Sequence, residues 1–161
     1  MSVDAQQFKN ALKLWASGVT VVTASSAVEG PKGMTVTAFS SVSVEPPQIL
    51  VCLNQAADTG ALLQEQGRFA VNILHNDQQA VSNQFAGGSS QAERFAQVNW
   101  QAGELGVPVL TDAIASLECT LVEAVKAGSH WIVIGEVQAV HCREGEPLLY
   151  FNSAYRTLAL V

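Results

Sequence analysis

Apolar residues recur with two different periods in the first part of the chain. Asp4 and Gln7 have the spacing of a capping box, and apolar residues three or four positions apart follow them, which predicts a helix with Gly18 as its stop. The apolar positions of this helix are Phe8, Ala11, Leu12 and Trp15. Residues 19–25 are then rich in β-branched side chains, and a turn-rich stretch, residues 27–32, leads to a second strand. This order predicts a helix followed by a β-hairpin.

The second strand of the hairpin carries a row of hydroxyl groups. A period of two places alternate residues of 33–45 on opposite faces. We expect the apolar set to face the core; it comprises Met34, Val36, Ala38, Val42 and Val44, whereas Thr35, Thr37, Ser41 and Ser43 face away, with Phe39 among them and Ser40 out of step. The β-propensity of Thr explains such a row on an exposed sheet face. The alternative is a surface that binds a phosphate-bearing ligand through hydroxyl and strand N–H groups.

The remaining pattern favours antiparallel strands over alternating strands and helices. Residues 48–53 are apolar on both faces, which is typical of a strand that is covered on both sides. Asp58 and Asp77 are candidate N-caps of short helices, and residues 89–113 are predicted to be irregular. Further strands are predicted at 68–75, at 115–125 and 129–140, which form a long hairpin, and at 148–151. We predict six or seven strands in a mostly antiparallel barrel with short peripheral helices, as one domain over residues 1–161.

Composition and charge narrow the classes of partner. The chain is 48% apolar and 14% charged, which indicates a globular protein, and its formal net charge is −6 without a basic cluster. We therefore expect no nucleic-acid partner and no anionic membrane surface. The sequence shows no apolar run of membrane-spanning length and no signal-peptide pattern at its start. Its three scattered cysteines, with no CxxC pair, favour a reducing cytoplasm.

Several common kinds of catalytic site have no signature here. The sequence contains no GxGxxG, Walker A, HExxH or GxSxG motif, and its three histidines lack metal-ligand spacing, so we expect neither a metal site nor a catalytic nucleophile. The start of the helix at Asp58-Thr59 would favour an anion. His130, at a strand end, and Tyr155, near the C-terminus, are candidate ligand contacts, although residues at such positions more often face solvent, in the case of His130, or pack, in the case of Tyr155.

Seven short motifs follow one another at spacings that suggest a known family. In order they are GVTVVTA, GMTVTAFSSVSVEPPQILVCLN, GRFAVNIL, QFAGG, ERF with PVL, SLEC with SHWIVIGEV, and LLYF. Together they span the chain from about Phe8 to Tyr155, and in this order the chain resembles the short-chain flavin reductases. These proteins are the reductase components of two-component flavin monooxygenases, such as those acting on 4-hydroxyphenylacetate.

The resemblance implies a fold, an activity and a set of site residues. It implies an FMN-binding split β-barrel, a homodimer, and NADH- or NADPH-dependent reduction of FMN or FAD, with reduced flavin diffusing to a partner monooxygenase. Hydride passes between the two cofactors, so no catalytic side chain is expected. The implied flavin contacts are Thr35, Val36, Thr37, Ala38, Ser40, Ser41, Asn54, Gln55, Asp58, Thr59, Phe85, Ala86, Gly87 and Arg94. Those implied for the nicotinamide are His130 and Tyr155.

One position departs from the family pattern. Many relatives have serines after the Asn54 position, whereas this chain has Ala56-Ala57, which removes two phosphate-binding hydroxyl groups. FMN, FAD and riboflavin, and NADH and NADPH, therefore stay open as alternatives. So do a non-enzymatic flavin-binding or electron-carrying protein on the same barrel and, more distantly, a ligand-binding barrel without flavin. His130 and Tyr155 favour the reductase, and Ala56-Ala57 mildly favours the others.

Overall fold

The computed structural model describes residues 2–161. In that range it contains four short helices, and none of them has the length and apolar character needed to span a membrane. The helices are α1 (Ala5–Leu12), α2 (Asp58–Gln66), α3 (Gln79–Phe85) and α4 (Gln91–Ala96). The strands are β1 (Ser17–Gly18), β2 (Thr20–Ser26), β3 (Gly30–Val36), β4 (Phe39–Ser43), β5 (Gln48–Asn54), β6 (Arg68–Ile73), β7 (Trp100–Ala102), β8 (Pro108–Leu110), β9 (Ala115–Ala127), β10 (His130–Cys142), β11 (Leu149–Phe151) and β12 (Ala154–Arg156).

The main sheet has seven antiparallel strands whose two edges are consecutive in the chain. The strand order is β3-β2-β6-β9-β10-β5-β4, so β3 and β4 are the edges, yet only Thr37 and Ala38 join them. The sheet must therefore curl until its edges meet. Cys52 N donates to Ala38 O at 3.0 Å and ties this junction to β5. We call residues 36–39 the seam. The predicted antiparallel β architecture with short helices is confirmed.

The barrel interior is filled from every strand of the sheet and from α2. Val22, Val51, Phe69 and Val133 are fully buried within it, and Leu62 and Leu63 of α2 pack onto the same cluster. A second buried cluster lies between the sheet and the peripheral segments; its members include Val19, Val21, Leu74, Phe85, Phe95 and Leu148. Two small sheets, β1-β11-β12 and β7-β8, complete the fold.

Three local predictions about helices need correction, the first being the helix stop at Gly18, because α1 ends at Leu12 and Gly18 lies in β1. The capping box of Asp4 and Gln7 is confirmed. Asp58, however, is the first residue of α2, and Ala57 occupies the N-cap position. Asp77 caps no helix, because its carboxylate is hydrogen-bonded to His75 Nδ1 at 2.8 Å.

The segment predicted to be irregular, residues 89–113, is partly ordered as helix and strand. It contains α4 and the β7-β8 hairpin. A capping box of Ser90 and Glu93 starts α4, and this Ser-x-x-Glu spacing was the available sequence signal.

The strand predicted over residues 33–45 is two strands with a break at the seam. Val36 is buried and Met34 packs against the core, as predicted, but Val42 and Val44 are exposed rather than core-facing. The two-residue break at the seam explains the difference, because Val36 and Phe39 both contact the core although they are three residues apart, so the faces are reversed throughout β4 and Ala38 is exposed as well.

Candidate functional site

The seam exposes backbone where the two sheet edges meet. Val36 turns into the core, whereas Thr37 and Ala38 are exposed, as are Ser40 and Ser41 on β4. Ser40 Oγ donates to the carbonyl of the neighbouring Ser41 at 2.9 Å. The Ser40 side chain is exposed. The row of hydroxyls predicted to line a ligand thus continues across the seam from β3 to β4.

Helices α3 and α4 are tied to the outer side of β3. Thr35 Oγ1 donates to the Ser82 carbonyl at 2.6 Å, and Gly33 N donates to Gln91 Oε1 at 2.9 Å. Gln91 Nε2 in turn donates to Asp58 Oδ1 at 3.1 Å. One glutamine therefore joins β3 to the start of α2.

Arg94 holds the α3–α4 connection in place. Its Nη1 donates to the carbonyls of Gly33 and Phe85 at 2.8 and 3.4 Å, and its Nε donates to the Ser89 carbonyl at 3.2 Å. Two of the three guanidinium nitrogens are therefore engaged with backbone. Arg94 therefore holds the connection between α3 and α4 against β3. Its Nη2 is the nitrogen that could still contact a phosphate.

The Phe85 ring is part of the core. It is 1% exposed and packs edge-to-face on Phe95, with ring centroids 5.2 Å apart. A Cβ at Gly33 would lie 2.7 Å from Phe85 Cε1, so only a glycine lets the ring sit beneath β3. Ala86 and Gly87, which follow, are exposed. At the predicted aromatic edge of the site, the backbone of residues 86–87 is what a ligand would meet.

The start of α2 has the properties of an anion site. The first N–H groups of a helix have no intrahelical acceptor, and no side chain caps this helix. Thr59 is fully buried, and its Oγ1 is the one buried side-chain nitrogen or oxygen within residues 2–161 that has no hydrogen-bond partner. A buried hydroxyl without a partner is destabilising unless a ligand satisfies it.

Lys32 brings a positive charge to the start of α2. Its ammonium is paired with Glu29 and lies 3.7 Å from Asp58 Oδ2. The hydrogen bond that Lys32 donates to the Glu29 carboxylate raises the pKa of Lys32 above its ordinary value; burial opposes the rise and Asp58 adds to it. Sequence reasoning missed Lys32 and Gln91, because neither residue stands in a recognisable motif.

Asn54 and Gln55 organise the loop between β5 and α2. Asn54 Oδ1 accepts from Ala56 N at 2.9 Å, and Gln55 Nε2 donates to the Gly128 carbonyl at 2.8 Å. Asn54 is also the cross-strand partner of His130, which is exposed. His130 Nδ1 is 2.9 Å from Ser129 Oγ. The structure therefore joins His130 to the loop beside Asn54.

Tyr155 on β12 is tied to helix α3. Its hydroxyl is 2.8 Å from Ser82 Oγ and donates to Asn83 Oδ1 at 2.8 Å. Its ring packs edge-to-face on Tyr150 at 5.3 Å. His130 belongs to the main sheet and Tyr155 to the small β1-β11-β12 sheet, and no hydrogen bond joins these two residues.

A cleft of about 540 Å³ opens where the seam faces α1 and the β11-β12 hairpin. The seam side is formed by Thr37, Ala38 and Phe39, and the opposite side by Lys9, Leu12, Lys13, Trp15, Ser17, Tyr150, Phe151, Asn152 and Ser153. This volume lies in the range of small-molecule sites, and its apolar and aromatic lining suits flat rings. The α1 side was missed, because the apolar period of its residues was used only to predict a helix; α1 buries none of its residues.

The structure offers little support for a cysteine nucleophile in the barrel wall. Burial, and then the charge of Glu118, raise the pKa of Cys119 to about 12, so its thiol stays protonated at neutral pH. The cleft at the seam can hold flat molecules, and the start of α2 can hold an anion.

A comparison with protein families assigns the chain. Residues 12–159 match the family described as "Flavin reductase like domain", which is nearly the whole length. The chain belongs to this family of flavin reductase-like domains. The resemblance seen in the seven motifs is thereby confirmed.

Relatives of this flavin reductase-like domain carry consistent names. It is 39% identical over 158 residues to the FMN reductase (NADH) RutF of Pseudomonas syringae pv. syringae (strain B728a), covering 98% of this chain and 88% of that one. It is 41% identical over 152 residues to the reductase component of the FADH(2)-dependent resorcinol hydroxylase of Rhizobium sp. (strain MTP-10005), covering 93% and 85%. It spans 49% of the length of a further relative, from Rhizobium meliloti (strain 1021), with 40% identity over 154 residues.

A solved structure shares the fold of this domain closely. The NADH:FAD oxidoreductase SgcE6 of Streptomyces globisporus C-1027 superposes with a TM-score of 0.91 at 32% identity, covering 99% of this chain and 98% of that one. The same protein has been solved in complex with NAD and FAD fragments.

Proposed function

We propose that the protein is an NADH-dependent flavin reductase that supplies reduced flavin to a partner monooxygenase. The names of the relatives support this reaction: one is an FMN reductase (NADH) and one is the reductase component of a hydroxylase. The non-enzymatic carrier finds no comparable support among them. The domain over residues 1–161 would act in the cytoplasm, which suits the free thiols of Cys52, Cys119 and Cys142.

The distance from the start of α2 along β3 to the seam suits the length of a flavin nucleotide. From Gly33 to Ala38 the chain advances five residues, or roughly 17 Å at about 3.3 Å per residue. One end of this stretch is joined through Gln91 to the start of α2, and the other end opens into the apolar cleft. We assign the phosphate to the first end and the ring to the seam.

The unpartnered hydroxyl of Thr59 is the observation that carries this assignment. A phosphate at the start of α2 would accept from Thr59 Oγ1 and from the N–H groups of Asp58 and Thr59, which have no intrahelical acceptor. Lys32 lies beside it, and the Asp58 carboxylate is held by Lys32 and Gln91. These donors fit a phosphate even though Ala56 and Ala57 bring no hydroxyl.

The contribution of the chain to the reaction is positional. When bound, the flavin supplies the acceptor for the hydride of the nicotinamide. Thr37 and Ala38 present exposed backbone against which one ring can lie, and Phe39 borders the adjoining cleft. Holding two rings in contact and excluding water from between them lowers the barrier without a protein base.

We further propose that two copies form a homodimer. The outer face of the sheet is apolar where Ile132 pairs with Cys52 and Ile134 pairs with Leu50, and all four side chains are partly exposed. Val125, opposite Ile132 on β9, is 41% exposed. A second copy covering this face would remove the apolar area from water and would bring further residues toward each flavin site. Light scattering should give twice the mass of one chain.

The reaction is tested by absorbance with the purified protein. We expect NADH oxidation at 340 nm to require added FMN or FAD, and the flavin absorption to bleach when oxygen is excluded. A protein that binds flavin but leaves NADH unoxidised would instead be a carrier.

A further inference from the structure

The start of α2 combines hydrogen-bond donors for an anion with a carboxylate. Thr59, the second residue of the helix, is fully buried, and its hydroxyl has no hydrogen-bond partner. The N–H groups of Asp58 and Thr59 have no intrahelical acceptor. Asp58 is the first residue of the helix, so its negative charge is adjacent to these donors. An anion bound there is attracted by the helix N-terminus and repelled by Asp58.

Two neighbouring side chains hold the Asp58 carboxylate in place. Its Oδ1 accepts from Gln91 Nε2 at 3.1 Å, and its Oδ2 lies 3.7 Å from the Lys32 ammonium. Gln91 is itself fixed to β3, because its Oε1 accepts from Gly33 N at 2.9 Å. The charge of Asp58 therefore stays beside the helix N-terminus.

The charged side chains around this end of β3 nearly cancel one another. The Lys32 ammonium lies between two carboxylates, those of Glu29 and Asp58. Arg94 on α4 donates to backbone carbonyls, and Glu93 precedes it on the same helix. Two cations and three carboxylates provide no surplus of positive charge. Such surroundings tolerate a singly charged anion better than a doubly charged one.

The two flavin nucleotides differ in the charge of the phosphate that this site would hold. FMN ends in a phosphate monoester, which is mostly doubly negative at neutral pH because the second pKa of such an ester is about 6. In FAD the same phosphate is joined to a second one and carries a single charge. We propose that Asp58 makes the start of α2 selective for a singly charged phosphate, so that the protein takes FAD in preference to FMN. This selectivity rests on the proposed function and names its flavin.

The test measures the Kd of three flavins by fluorescence titration in the absence of NADH. Riboflavin has no phosphate, FAD presents a singly charged phosphate, and FMN presents a doubly charged one. Asp58→Asn removes the charge and keeps an oxygen that can accept from Gln91. The matched control is Glu65→Gln, which removes the same charge from an exposed position near the other end of α2.

We expect the wild-type protein to bind FAD more tightly than FMN. Asp58→Asn should tighten FMN binding by about three- to tenfold, because one exposed unit charge no longer repels a doubly charged group. FAD binding should tighten by only about two- to threefold, since its phosphate carries half the charge, and the Kd of riboflavin should not follow. Glu65→Gln should match the wild type for all three flavins. A loss of structure would weaken binding, so a gain in affinity is specific to the removed charge.

Three results would overturn the selectivity. Equal gains for all three flavins in Asp58→Asn would mean that Asp58 acts on the ring or the ribityl chain. Equal gains in Asp58→Asn and Glu65→Gln would assign the effect to long-range charge. Weaker FMN binding in Asp58→Asn would mean that the carboxylate positions Lys32 and Gln91 for the phosphate instead of repelling it.

A separate assay of NADH oxidation distinguishes this failure from that of the proposed function. If the wild-type protein and Asp58→Asn bind the flavins as expected but neither oxidises NADH, the reductase function fails and the selectivity stands. If NADH is oxidised and Asp58→Asn leaves the ratio of the FMN and FAD Kd values unchanged, the selectivity alone fails. A wild-type protein that binds none of the three flavins would refute both.

Discussion

Buried polar side chains are hydrogen-bonded on one flank of the barrel, whereas one on the other flank has no hydrogen-bond partner. On the β6-β9 flank, Asn72 and Glu118 are fully buried, and each makes several hydrogen bonds to other parts of the chain. On the seam flank, Thr59 is fully buried and its hydroxyl has no partner. A satisfied polar group inside a protein holds structure together, whereas an unsatisfied one marks a place where a ligand completes the structure.

On the β6-β9 flank, the buried side chain of Asn72 anchors strand β8 to the main sheet. Asn72 Nδ2 donates to the Val21 carbonyl at 3.0 Å, and its Oδ1 accepts from Leu110 N at 2.9 Å and from Ser116 Oγ at 2.8 Å. These bonds join β2, β6, β8 and β9 through one side chain.

Glu118 performs the same task for the loop between β7 and β8. Its carboxylate accepts from Glu104 N at 3.0 Å, from Leu105 N at 2.7 Å and from His141 Nε2 at 2.8 Å. A Cβ at Gly103 would overlap this carboxylate, which explains the glycine at that position.

The largest effect should follow from Asn72→Ala. The change leaves the buried Leu110 N–H, the Val21 carbonyl and the Ser116 hydroxyl without their partner, so we expect the free energy of unfolding to fall by about 3–4 kcal/mol. Denaturant unfolding measures it. As a control, Asn99→Ala removes one exposed bond to Asp112 and should cost below about 0.5 kcal/mol. Similar losses in both variants would mean that the buried network is not what holds this flank.

Glu118 should make the same flank sensitive to acid. Burial raises the pKa of Glu118, but hydrogen bonds from Leu105 N, His141 and Glu104 N outweigh it, so the pKa lies below the ordinary value of 4.5. Because the folded pKa is the lower one, its contribution is present above the ordinary pKa and is lost as pH falls through the folded value.

We therefore expect wild type to exceed Glu118→Gln in stability by about 2 kcal/mol at neutral pH, with the difference shrinking as the pH falls below 4.5. Unfolding curves for both proteins between neutral pH and acid measure the difference. A gap that is constant with pH would show that the charge of Glu118 has no part in the anchor.

Thr59→Val tests whether the unpartnered hydroxyl of Thr59 binds the flavin phosphate. Valine keeps the shape and removes a hydroxyl that has no partner, so stability should be unchanged or up to about 1 kcal/mol higher. FMN affinity should fall about tenfold, the equivalent of one hydrogen bond to a charged group, whereas riboflavin affinity, which involves no phosphate, should stay the same. Fluorescence titrations give both constants, with Thr111→Val as an exposed control. Equal losses of affinity for FMN and for riboflavin would contradict the assignment of the phosphate to the start of α2.

The smallest effect is expected from His130→Ala. His130 is exposed and contacts Ser129, so its removal should leave the fold intact. One hydrogen bond to the nicotinamide or a cofactor phosphate contributes about 1 kcal/mol, and we expect the KM for NADH to rise at most about tenfold with little change in flavin affinity. Steady-state NADH oxidation at saturating flavin measures it. An unchanged KM would leave His130 as a solvent-facing residue at a strand end.

The two flanks also differ in how far the sequence predicts them. The long β9-β10 hairpin, the helix before the first hairpin and the hydroxyl row were predictable, because period and capping are local properties. The satisfied network was not, since the partners Asn72 and Leu110 are 38 residues apart and no local pattern links them.

Within the site, local pattern and tertiary packing disagree at identifiable residues. The seam was missed, because a two-residue break does not disturb the alternation on either side of it. Phe85 was predicted beside the ligand, yet the close approach to Gly33 that buries its ring depends on how α3 packs on β3. Thr59 stood in the predicted set, but its missing hydrogen-bond partner is visible in three dimensions only.

Hydrogen–deuterium exchange with and without FMN tests the contrast between the flanks most directly. The account predicts that FMN slows exchange of the backbone amides in residues 33–41 and 54–60, on the seam flank, and leaves residues 99–110 unchanged. Protection confined to residues 99–110, or spread evenly over both flanks, would contradict the assignment of the flavin to the seam and the start of α2.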